Sequence, residues 1–182
     1  MGNAESVGIG GDRPENLIEE AKRNLSMGFP EAAALKFRRA YELHRENGLL
    51  ASAASCLRQA LEASLTGKEF NYELTAKGFE EVGLLYLKSE ITVGAAASNF
   101  ANSVYCLIAA GRVTTAKEKF SDFCKLDKEF AEDEEGVAAR VILESFSNGN
   151  KNLTRDNFEG LKEVVEVSAW RQVLFTGVLT RL

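Results

Sequence analysis

The chain has 182 residues, a length that fits one ordinary domain with a real core. Its apolar content of 45% and charged content of 27% are those of a soluble globular protein, and a net charge of −5 argues against nucleic acid as a partner. The two prolines favour helix throughout, and the three scattered cysteines (Cys56, Cys106, Cys124), with no Cys-x-x-Cys and a lone histidine, His44, argue against a zinc site.

Those thiols read as buried and free in a reducing compartment, the cytoplasm. No run of about 18 apolar residues and no charged-then-apolar leader occurs, so neither a membrane span nor a secretory signal is expected. The glycosylation-type triplets ending at Ser26 and Thr154 are then accidental.

Residues 1–13 are glycine-rich and polar and are expected to form a flexible N-terminal segment. They begin Met1-Gly2-Asn3-Ala4-Glu5-Ser6, which fits the pattern for myristoylation at Gly2 once Met1 is removed. A chance match is the other reading. One myristoyl chain binds membrane only marginally, and no polybasic run stands nearby to help it.

A single helical domain is expected over 14–182, with hairpins to about 130 and a small bundle over about 133–182. The first helix is predicted over about 13–27, with Asp12 as its cap and Leu17, Ile18, Ala21 and Leu25 as its stripe. The second is complete with its punctuation. Pro30 suits a first turn, Ala33, Phe37, Ala40, Tyr41 and His44 share a face, and Gly48 offers a left-handed stop.

A third helix is expected over about 49–65, closed by Gly67, and a fourth over about 69–87 with Phe70, Leu74, Phe79, Val82, Leu85 and Tyr86 inward. Gly78 and Gly83, unfavourable inside a helix, read as points of close approach by a neighbour. The fifth, about 92–110, is small or apolar on nearly all sides and belongs in the middle of a stack. A sixth is expected over about 113–130, with Ala116, Phe120, Phe123, Cys124 and Leu126 inward. A seventh follows the acidic turn at 132–135, with Val137, Val141, Ile142 and Phe146 as its stripe. After a loop at 147–152, Thr154 is the expected cap of a short eighth helix bearing Phe158, Leu161 and Val165. The ninth covers about 167–182.

One pattern recurs along five of these helices: a small residue, a large one four later, then a third position after three more. Phe37, Leu57, Phe79, Phe100 and Phe120 are the large members, about 20–22 residues apart. Two helices then form a unit of about 40 residues, the size of a helix-hairpin repeat. The expected fold is all-α: a right-handed, tetratricopeptide-like α-solenoid of antiparallel helix hairpins, about nine helices, with a small C-terminal bundle.

No nucleophile–base set can be assembled around the single histidine, and neither a Walker A loop nor a His-Glu-x-x-His motif occurs. No enzyme and no cofactor are expected. Basic residues are the better candidates for function: Lys36, Arg38, Arg39 and Arg45 on the second helix, Arg58 on the third, Lys77 and Lys88 on the fourth, and Arg112, Lys117 and Lys119 at the sixth. Gathered on one edge, they would attract an acidic partner; dispersed, they are a solvated face balanced by Glu and Asp.

The stretch Ala76-Lys-Gly-Phe-Glu-Glu-Val-Gly-Leu-Leu-Tyr-Leu-Lys88, the run from Ala95 to Leu107, and the C-terminal order Val141–Phe146, Phe158-Glu-Gly-Leu161 and Ser168-Ala-Trp-Arg-Gln-Val-Leu-Phe175 resemble the soluble NSF attachment proteins (SNAPs). The resemblance spans about 30–182. It implies a curved sheet of helix hairpins that lies along the four-helix SNARE bundle through a charged face, recruits the NSF ATPase, and has no catalysis of its own. The family's leucine-bearing last helix stimulates that ATPase, and the matching positions are Leu174, Val178, Leu179 and Leu182. These residues have a second reading, closure of the core.

The chain departs from the family by being one or two hairpins shorter and by lacking a recognisable membrane-attaching loop, for which acylated Gly2 could substitute at the cytosolic face of a membrane. The alternative function is a general tetratricopeptide-like scaffold with a peptide in its concave groove.

Overall fold

In the computed structural model, residues 13–89, 95–164 and 168–181 are described. They form nine helices and no strand: α1 (Pro14–Ser26), α2 (Pro30–Glu46), α3 (Leu50–Thr66), α4 (Tyr72–Ser89), α5 (Ala95–Ala109), α6 (Val113–Leu126), α7 (Glu134–Ser147), α8 (Lys151–Val164) and α9 (Ala169–Leu179). The fold is the expected all-α solenoid. Each helix from α1 to α6 packs on the next, so α5, with neighbours on every side, is buried along nearly its whole length.

The local chemistry sets the hairpins. Pro14 and Pro30 begin α1 and α2, where a missing N–H has no partner to lose. Gly48 follows α2 with φ of 71°, and the Leu49 N–H donates to the His44 carbonyl over 2.9 Å. That is a left-handed helix stop with its characteristic long return bond. The same bond, from Phe29 to the Asn24 carbonyl and from Arg112 to the Leu107 carbonyl, closes α1 and α5.

The repeating small–large–small positions form the spine of the core. Phe37, Phe79 and Phe100 are wholly buried, Leu57 nearly so, and Phe120 half-buried. Gly78 and Gly83 are close approaches, as expected. A Cβ on Gly83 would lie 2.4 Å from Cε1 of Phe100, and one on Gly78 would lie 2.6 Å from Cδ2 of Leu61. Phe100 in turn stacks on Phe123, with ring centroids 4.3 Å apart, and Phe130 meets both edge-on.

Several boundaries and stripes differ from expectation. Helix α6 stops at Leu126, because Asp127 turns the chain and sends Phe130 into the core from a non-helical segment. Thr154 is not the cap of α8. Asn150 is, its Oδ1 accepting from the Leu153 N–H at 3.0 Å, while Thr154 is buried one turn inside and bonds Ser145. The α7–α8 loop is therefore only 148–150. Leu25, Leu74, Leu126 and Val141, placed on inward stripes by periodicity, are exposed. Asp12, Val165 and the side chains of Phe158 and Leu161 lie outside what is described.

Helix α7 packs on α5 and α6, and α8 on α7. Helix α9 turns back across the stack and lies against α3 and α5. Its direction matches that of α5: Arg171 reaches Ser98 and Asn102 near the start of α5, and Arg181 donates to the Ala109 carbonyl at its end. None of the described helices is long and apolar enough to cross a membrane.

Candidate partner-binding faces

The stack has two sides of unlike chemistry. On one, α9 covers α3 and α5. On the other, α2, α4 and α6 are joined by long charged side chains. Arg45 of α2 reaches Glu81 of α4 at 3.6 Å, and the Tyr41 hydroxyl donates to the same carboxylate over 2.5 Å. Burial and the Glu81 charge together push the Tyr41 phenol above its ordinary value. Arg112 bonds Glu73 and Lys119 bonds Glu80, each at 2.7 Å, tying the start of α6 and its second turn to α4.

These bridges divide the basic candidates. Arg45, Arg112 and Lys119 are held by glutamates of a neighbouring helix, Lys36 by Glu20 of α1, and Arg39 and Arg58 by partners on their own helices. Arg38, Lys77, Lys88 and Lys117 are exposed and make no ion pair or hydrogen bond among the described residues. Arg38 belongs to α2, Lys77 and Lys88 to α4 and Lys117 to α6, so all four free cations belong to the helices of the open side.

Two clefts lie beside them. One, of about 280 Å³, runs between α4 and α6 with Lys77 at its wall, the Glu73–Arg112 and Glu80–Lys119 pairs beside it, and Ala76, Leu107 and Ser103 lining it. The Ser103 hydroxyl there is buried and has no hydrogen-bond partner. The other, wider cleft has Arg38 and Lys68 around Phe70 and the exposed Leu74.

The last helix is held by a buried charge that periodicity does not reveal. Arg171, 5% exposed, donates to Glu135 Oε1 over 2.6 Å and to Ser98 Oγ over 3.2 Å, and lies 3.4 Å from Asn102 Oδ1. Trp170 beside it stacks on Phe79 with centroids 5.7 Å apart. Leu174 and Val178 are wholly buried against the stack, and Leu179 keeps a partly exposed edge. Gly2 and Leu182 lie outside the described residues.

A further feature was hidden in the linker between the first two helices. Leu25, Met27 and Phe29 are 41%, 54% and 55% exposed around one tight turn. Three large apolar side chains within five residues, broken by a glycine, were the available signal. The helical stripe had claimed Leu25 for the core.

The described residues thus form an all-α stack of helix hairpins, covered on one side by its own last helix. The family model described as soluble NSF attachment protein, SNAP, matches residues 13–181, and the chain belongs to that family. Neither a curated protein nor a solved structure matches it.

Proposed function

We propose that the chain is a SNAP-type adaptor that docks on an assembled SNARE bundle and presents it to an NSF-type ATPase, without catalysis of its own. The observation that carries the reading is the family match over 13–181, joined to the free cations Arg38 and Lys77 on the open side of the stack. An acidic helical bundle would be steered to that side and would bind less well as salt rises. The cations already held by glutamates serve the fold first, so the docking face is smaller than the sum of its basic residues.

Of the described positions that match the family's ATPase-stimulating leucines, Leu179 is the one left available to an ATPase, since Leu174 and Val178 are spent in the core. Leu25, Met27 and Phe29 suit the role of the family's membrane-attaching loop, with an acylated Gly2 as a second anchor on the cytosolic face. A peptide in a groove along α3 and α5 is disfavoured, because α9 occupies that side.

The test is a pull-down of purified SNARE bundle, with and without the ATPase, at low and high salt. Binding that weakens with salt, falls several-fold in Arg38→Glu/Lys77→Glu, and brings down the ATPase is expected. A folded protein that ignores both partners at low salt overturns the reading. In Leu179→Ala, bundle binding is expected to stay while ATPase stimulation falls.

A further inference from the structure

The turn between α1 and α2 carries more than apolar side chains. Ser26, the last residue of α1, stands exposed between Leu25 and Met27, its hydroxyl donating only to the Arg23 carbonyl at 2.8 Å. Lys22 and Arg23 lie four and three residues before it and so share its face of the helix. Both are exposed, and neither has a salt-bridge partner among the described residues. Gly28 follows with φ of 79°, ending the helix two residues on. A hydroxyl at a helix end, one turn after two free cations, is readily presented to an enzyme that reads those cations with carboxylates.

We propose that Ser26 is a phosphorylation site for a basophilic serine kinase, and that its phosphate releases the apolar turn from an anionic lipid surface. The γ-phosphoryl group of Mg-ATP passes to Ser26 Oγ, the hydroxyl proton goes to the kinase's base, and ADP leaves. The lipid half of the proposal rests on the membrane reading of this turn given above.

Three effects act in one direction. The phosphate brings about −1.5 to −2 of charge, which cancels the attraction of Lys22 and Arg23 for acidic headgroups. It sits among Leu25, Met27 and Phe29, so these cannot enter the interface without dragging a dianion with them. It also stands at the negative end of the α1 dipole, where an anion frays the last turn.

The experiment uses the full chain, the catalytic subunit of a basophilic kinase with Mg-ATP, and vesicles of phosphatidylcholine with about a third phosphatidylserine. Mass spectrometry locates the phosphate, and co-sedimentation measures binding before and after. One phosphate at Ser26 and at least about tenfold weaker vesicle binding are expected, with Ser26→Ala bound as tightly as the parent before and after kinase treatment. No incorporation at Ser26 overturns the site, and incorporation with unchanged binding overturns the switch. Phe29→Ser leaves the kinase determinants intact and tests the lipid reading separately. If the unmodified chain does not bind vesicles, or Phe29→Ser binds as well as the parent, that reading fails and takes the switch with it, whatever the kinase does.

Discussion

At Gly83 a single methyl group would meet the ring of Phe100, the residue around which α4, α5 and α6 close. Gly83→Ala is expected to cost about 1–3 kcal/mol in denaturant unfolding, because the ring has no space to yield. Gly160, also helical, faces open space, so Gly160→Ala is expected to gain about 0.5–1 kcal/mol from helix propensity alone. Glu62 gives a pH signature. Burial raises its carboxyl pKa against the attraction of Arg58 and Arg171. A folded pKa above the unfolded one means stability is fully present below the ordinary carboxylate range and falls as pH climbs through the folded value. Glu62→Gln removes that loss, so its melting temperature relative to the parent is expected to rise as pH climbs above the ordinary carboxylate range of about pH 4. The thiols separate in the same way: burial holds Cys56 up at about 11 and Cys106 higher still, while Cys124 is only half-buried. Alkylation near neutral pH is expected at Cys124 first, and at the other two only on unfolding.

Among the elements, α9 depends on a feature that no stripe of apolar residues announces. Arg171→Ala leaves Glu135 with one oxygen already unpartnered and the other newly so. The expected loss is about 3–5 kcal/mol, measured by chemical denaturation, with Arg171→Lys recovering only part of it. Helices α2, α3 and α5 were legible because their small and large residues alternate at helical spacing and glycines mark their ends. The end of α6 was not, since Phe130 continues the apolar rhythm although the backbone has already turned at Asp127. The α8 cap was misplaced because Thr154 and Asn150 are both capping residue types, and only the buried contact of Thr154 with Ser145 separates them. For the candidate site, sequence supplied the cations. The partners of Arg112 and Lys119 lie 39 residues away, across a repeat, which is why sequence could not tell these held cations from free ones.

On the scale of the whole molecule, the bridges from Glu73, Glu80 and Glu81 make α2, α4 and α6 one electrostatic surface. Each exposed pair is worth little to stability, about 0.2–1 kcal/mol at most. Their effect is on charge, since they leave a chain of net −5 with only a few basic contacts for an acidic partner. Bundle binding is therefore expected to fall gently with ionic strength, and Lys119→Gln to change it less than Lys77→Gln, read by titration at two salt concentrations.

The return of α9 onto α3 and α5 also orders events during synthesis. A plain stack covers each helix as soon as the next one is made. Here the α5 side that receives Leu174, Phe175 and Val178 waits for a helix that ends 70 residues later. At ordinary translation rates that interval lasts about 4–14 seconds. For that time the nascent chain exposes an apolar strip wide enough to hold a helix.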